Sequence, residues 1–205
     1  MSRHEQLTHQ IAENVAEVRQ SMADAAQRAA RQPAEIRLIA VTKTFSSEVI
    51  RAAYAAGLRE FGENRVQEFQ SKLAELNPSA TMPEARFHMI GHVQSNKAAG
   101  ALEFDWIQTI DSAKLARRLN ELAGLQGKRP RVLLQIKLGE ELAQEDRKTG
   151  AGLAEASRIA ELLDSLPHLD PQGLMLIPPY MEDPEGSRPF FRRSEEHTSE
   201  LQSLR

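Results

Sequence analysis

Apolar positions in the first 31 residues recur at three- and four-residue steps. Leu7, Ile11, Val15, Val18, Met22 and the Ala25/Ala26 pair form one stripe, with Glu, Arg and Gln between them. That period predicts a long amphipathic helix, which Pro33 ends. Beyond it the pattern becomes short apolar runs of strand length alternating with helical stretches. Strands are expected at 36–42, 59–62, 86–90, 106–110, 131–138 and 173–177, the last stopped by Pro178-Pro179. The intervening text predicts helices over 46–56, closed by Gly57 as a C′ residue, and over 64–76, stopped by Asn77-Pro78. Asn64 reads as the N-cap of the second of these, with Gln67 three residues on. Further helices are expected over 96–102 with Ser95 as cap, from Asp111 or Ser112 to Ala123, and over 154–165.

Six strands, each followed by a helix or a helix start and without hairpin signals, argue for a parallel α/β sheet. The spacing suits a β/α barrel or a doubly wound sheet, and periodicity leaves both open. Neither a GxGxxG turn nor a Walker loop is present, so the nucleotide-binding versions lose ground.

Composition narrows the class. A chain of 205 residues, 40% hydrophobic and 27% charged, has the balance of one ordinary soluble domain. A net charge of -3 leaves no basic footprint for nucleic acid. No apolar run approaches the roughly 18 residues of a membrane span, and no signal-peptide pattern opens the chain. The absence of cysteine excludes disulfides and thiolate metal sites. A cytoplasmic globular protein is expected.

The chemistry centres on Lys43. It ends the run Leu38-Ile39-Ala40-Val41-Thr42 and precedes a helix start at Ser46-Ser47-Glu48, so it sits at the C-terminal end of a strand. That edge of a parallel α/β protein is where ligands collect. A lysine there is most often only solvated, but one held neutral part of the time can form a Schiff base with an aldehyde. Partial burial at the rim is expected to favour this by lowering its pKa. Other signals weigh less. On a strand, His88 and His92 would sit roughly 13 Å apart, too far to share an ion. Lys97 and Lys137 read as solvated rim residues, and Trp106 as a packing residue. Glu140-Glu141 and Glu145-Asp146, with Arg147-Lys148 after them, read as a solvated crossover.

Four segments carry a joint signal: Ala40-Val41-Thr42-Lys43-Thr44, Phe61-Gly62-Glu63-Asn64-Arg65-Val66-Gln67-Glu68, His88-Met89-Ile90-Gly91-His92-Val93-Gln94-Ser95-Asn96-Lys97 and Gly173-Leu174-Met175-Leu176-Ile177-Pro178. Together they resemble the pyridoxal phosphate homeostasis protein family, single-domain relatives of the N-terminal barrel of alanine racemase. The resemblance implies a (β/α)8 TIM barrel preceded by a long helix. It implies pyridoxal 5'-phosphate (PLP) as cofactor, held as an internal aldimine on Lys43. Asn64 corresponds to an asparagine lining the cofactor pocket, and Gly91 and Met175 fall at the ligand-facing rim.

The resemblance runs from the first helix to about Arg192. The polar run from Arg193 to Ser203 lacks an apolar period and resembles a translated sequencing adapter. Residues 1–192 are therefore expected to be an incomplete barrel of about six βα units, and 193–205 an artefactual tail. The family's seventh and eighth strands, which supply the phosphate cradle, have no counterpart here. Weak PLP binding and a marginal fold are expected of such a chain.

The resemblance also implies a protein of intracellular PLP homeostasis rather than an enzyme. Its partners would be PLP and PLP-dependent apo-enzymes, and the intact form is expected to be a monomer. A PLP-dependent racemase is the alternative; it needs a second acid/base, and only Tyr54 and Tyr180 are available. A scaffold that does not bind PLP is the third reading.

Overall fold

The computed structural model describes residues 2–137 and 150–203. The expected acidic crossover at 140–148 lies outside them. Six strands are hydrogen-bonded in the order β1-β2-β3-β4-β5-β6. A doubly wound sheet reverses its strand order at a switch point; an unbroken sequential order is the singly wound arrangement of a β/α barrel. The chain divides into two compact units, Met1–His88 and Met89–Arg205.

The first unit opens with α1 (Arg3–Arg28). Its start is fixed by a capping box: Ser2 Oγ accepts from the Glu5 N–H at 3.2 Å, and Glu5 Oε2 accepts from the Ser2 N–H at 2.7 Å. Val15 and Ala26 are buried on the apolar stripe, and α1 packs on α2 (Ser47–Ala55). Gly57 closes α2 in the left-handed conformation expected of a C′ glycine, with φ of 90°. Its carbonyl accepts from Arg19 Nη2 on α1 at 3.1 Å.

β1 (Ala40–Val41) is far shorter than the expected run. It pairs in parallel with β2 (Glu60–Glu63), Ala40 opposite Phe61 and Val41 opposite Gly62. β2 is its one neighbour in the order, so residues 36–39 gain no second ladder. α3 (Val66–Leu76) and the single turn α4 (Pro78–Thr81) follow. Asn77 between them adopts φ of 45°, so Asn77-Pro78 does stop α3, but Pro78 then serves as the first residue of the next turn. Phe61, Phe69 and Phe87 stack in the core, with ring centroids 5.6 and 4.9 Å apart.

β3 (Arg86–Met89) leads into the second unit. Ser95 does not cap a helix over 96–102: Ser95–Lys97 form a 3-10 turn before the short α5 (Ala98–Ala101). β4 (Trp106–Ile110) is where the pattern places it. Ser112, of the two expected caps, accepts from the Leu115 N–H and starts α6 (Ala113–Leu125). β5 (Arg131–Ile136) is followed by α7 (Leu153–Asp164). Ile107, Ile110, Leu115, Leu119 and Leu134 are sealed from solvent and form this unit's core.

β6 (Asp170–Leu176) begins earlier than expected and takes in Pro171. A proline is tolerated where the strand has a single partner, and β5 is the one neighbour of β6 in the order. The register slips between Val132 and Leu133, where Gly173 takes a φ of 148° that a side chain would resist. α8 (Arg188–Ser203) takes in Phe190 and Phe191 and runs on through the polar residues after Arg193, which contain neither glycine nor proline. Among the described residues no helix is long and apolar enough to cross a membrane.

Candidate functional site

Lys43 sits in a tight turn. The Phe45 N–H donates to the Thr42 carbonyl at 3.1 Å, which places Lys43 and Thr44 at the two central positions. Thr44 has φ of 68°. Left-handed backbone costs a residue with a Cβ about 1–2 kcal/mol, and a β-branched one is an unusual occupant. Something must hold this turn in place.

The holding groups come from β2 and α3. Thr42 is buried, and its N–H donates to the Gly62 carbonyl at 2.8 Å. Its hydroxyl donates to Glu63 Oε1 at 2.8 Å, and its carbonyl accepts from Lys72 Nζ at 2.9 Å. Lys72 also donates to Glu63 Oε1 at 2.8 Å and to Glu68 Oε1 at 2.7 Å. Glu68 Oε1 in turn accepts from the Thr44 N–H at 2.6 Å. The Lys72 side chain is 9% exposed and that of Glu63 is wholly buried. A charge-assisted network thus grips the turn on either side of Lys43. The hydrogen bond from Lys72, and then that from the Thr44 N–H, hold the Glu68 carboxyl below the usual carboxylate range.

Lys43 itself is exposed, not partly buried as its rim position suggested. The edge strand that precedes it has one neighbour, so among the described residues no strand flanks it on the other edge. Its amine makes no hydrogen bond or ion pair among the described residues.

Asn64 is at the matching level of β2: Val41 pairs with Gly62, and Lys43 and Asn64 each lie two residues further along. It is not the N-cap of α3. Arg65 takes that place and makes no side-chain cap bond. The Asn64 side chain is thereby free of a capping role, and its Oδ1 is buried without a donor among the described residues. Lys43 and Asn64 therefore each lie just past the ends of adjacent strands. In the second unit, Gly91 follows β3, and its carbonyl accepts from Thr109 Oγ1 at 2.7 Å. Met175 is half-buried inside β6, opposite Gln135. β4 and β5 separate Gly91 and Met175 in the strand order.

The set-aside signals find ordinary partners. His88 is buried with its Nε2 2.7 Å from Glu60 Oε2, and His92 Nδ1 lies 3.0 Å from Asp111 Oδ2. Trp106 packs on β4 under the Arg131 guanidinium, 5.4 Å from its ring centroid. Lys97 and Lys137 are exposed. The residues that sequence reasoning missed are Glu63, Glu68 and Lys72. Glu68 and Lys72 carry a legible signal, an i,i+4 pair with the acid first; Glu63 carries none.

The family model described as "Alanine racemase, N-terminal domain" matches residues 8–204. A pyridoxal phosphate homeostasis protein of Pseudomonas aeruginosa is 42% identical over 171 residues, 82% of this chain and 70% of that protein. The chain belongs to the pyridoxal phosphate homeostasis protein family. Another member, from Escherichia coli K12, is 40% identical over 169 residues, with 82% of this chain and 70% of that protein covered. The structure of PipY from Synechococcus elongatus PCC7942 with PLP bound superposes with a TM-score of 0.80 at 37% identity, over 95% of this chain and 82% of that one. Alanine racemase of Clostridium difficile 630 matches at a TM-score of 0.64 and 15% identity, over 82% of this chain and 43% of that one, a likeness of fold alone. The fold of this homeostasis-family chain is that of the alanine racemase N-terminal barrel, with six parallel strands described.

Proposed function

We propose that this chain binds pyridoxal 5'-phosphate on Lys43 and serves intracellular PLP homeostasis, storing, buffering or delivering the cofactor. The observation that carries this reading is the exposed amine of Lys43, without a hydrogen bond or ion pair among the described residues, displayed on a turn whose flanking residues are gripped by a buried network. PLP supplies an aldehyde that an amine can hold covalently and reversibly. The residues present suit the aldehyde end of such a group. Lys43 Nζ is available as the nucleophile once it has given up a proton. Asn64 Oδ1, buried and lacking a donor, is an acceptor for a polar edge of the ligand. For Gly91 and Met175, in the second unit, the candidate contact rests on the family resemblance alone.

A carrier fits better than a racemase. Two-base chemistry needs a second acid/base held against the substrate. Tyr180 is 90% exposed, and the Tyr54 ring lies under the Arg59 guanidinium at 4.1 Å, a packing arrangement. The cytoplasm is the expected compartment, and PLP-dependent apo-enzymes are the expected recipients. Borohydride reduction of the PLP-treated chain, followed by peptide mass mapping, tests the assignment. A pyridoxyl adduct on the peptide carrying Lys43, lost in Lys43→Ala, is the expected outcome. Labelling spread over surface lysines, or none, overturns it.

A further inference from the structure

We propose that Lys72 is a positioning residue for Lys43: it occupies the carboxylates of Glu63 and Glu68, and so fixes the turn while leaving the Lys43 amine uncommitted. The functional meaning rests on Lys43 being the PLP-binding amine; the electrostatic claim does not.

Three attachments surround Lys43. The carbonyl before it accepts from Lys72 Nζ, the preceding hydroxyl donates to Glu63 Oε1, and the following N–H donates to Glu68 Oε1. Two carboxylates therefore stand against the residues that flank an exposed lysine. Because Glu68 Oε1 is only 2.6 Å from the Thr44 nitrogen, it is within the reach of a four-carbon side chain one residue earlier. An ion pair between Lys43 and Glu68 is the obvious competitor to the observed arrangement. Lys72 forestalls it by donating to both acids at 2.7 and 2.8 Å from a buried position. A structural ion pair alone would not need to bind the Thr42 carbonyl, and a mere connecting turn would not need a threonine in the left-handed region.

Removing the resident cation should hand the carboxylate to Lys43. Its amine is then engaged in an ion pair and less available as a nucleophile. Deleting the Glu68 charge as well should release it again, while doing nothing to repair the packing lost at Lys72. That rescue separates positioning from stability.

The readout is the acetylation rate of Lys43 by an amine-reactive ester, taken as a ratio to exposed Lys97 and Lys114 on the same chain by quantitative peptide mapping. Lys72→Met should lower the ratio about five-fold, the factor expected of a favourable exposed ion pair. Lys72→Met combined with Glu68→Gln should return it to within about two-fold of wild type, since the competing pair then has no charge partner. An unchanged ratio in a folded Lys72→Met chain overturns the proposal, as does a double variant that stays as slow as the single one. If Lys72→Met fails to fold, Lys72→Gln keeps an N–H donor for the Thr42 carbonyl and must show the same fall; an unchanged ratio there is equally fatal. Acetylation uses no PLP. A missing pyridoxyl adduct in the wild type would therefore sink the cofactor reading and leave this result interpretable.

Discussion

Lys43 and Lys72 bear on the same turn with opposite commitments. Lys72, on the inner face of α3, gives its protons to the Thr42 carbonyl and two carboxylates and is nearly sealed from water. Lys43, at the end of an edge strand, is exposed and makes no described contact. The difference teaches that a buried ammonium serves the fold, whereas reactivity needs an amine that the fold leaves alone. Burial by itself would have pointed to Lys72 rather than to Lys43, the amine proposed to bind the cofactor.

Stability should separate the two lysines most widely. Lys72→Met leaves the Glu63 carboxylate buried without its cation, a defect worth about 3–5 kcal/mol. Lys43→Met removes an exposed side chain with no hydrogen bond or ion pair among the described residues and should stay within about 0.5 kcal/mol of wild type. Urea denaturation of both variants, read at the midpoint, checks the contrast. Equal effects would mean that the network is not what holds the turn.

Much of this frame is visible in the pattern of residues, and the exceptions have physical causes. The apolar run Ile36–Thr42 reads as a seven-residue strand, yet only Ala40 and Val41 form a ladder, and Val41 is 47% exposed. Hydrophobicity marks a segment suited to a sheet, but the number of neighbours decides how much of it pairs. β6 departs the other way: it begins at Asp170, before the expected 173, and takes in Pro171, which a strand tolerates at an edge. Lys43 and Asn64 stand out because both follow strand ends. The exposure of Lys43 does not, because it depends on which strands flank β1. Glu63 was invisible for a related reason: at a strand end a carboxylate looks solvated until α3 folds Lys72 back over it.

Acid should weaken the network through Glu68. Its carboxyl is held below the ordinary range, chiefly by Lys72 and next by the Thr44 N–H, with Arg65 adding to the same effect. A group with a depressed native pKa stabilises the fold fully above its unfolded value of about 4.3 and loses that contribution as pH falls through the native value. The stability difference between wild type and Glu68→Gln should therefore be constant near neutral pH and shrink below about pH 4. Urea midpoints of the pair across that range would show it. A gap that stays level into strong acid would mean the Glu68 charge contributes nothing.

The smallest effect tests which part of Thr44 matters. The bond to Glu68 comes from its backbone N–H, and its side chain is exposed. Thr44→Gly keeps that donor and relieves the left-handed strain, a gain of about 1–2 kcal/mol that the greater freedom of glycine in the unfolded chain offsets by about 0.5–1 kcal/mol. The net change should be a slight stabilisation, with acetylation of Lys43 close to wild type. Since Lys72 and Glu68 are untouched, the two lysines should keep their contrast. A destabilised Thr44→Gly chain with slowed acetylation would show that the threonine side chain, rather than the network beneath it, presents Lys43 to solvent.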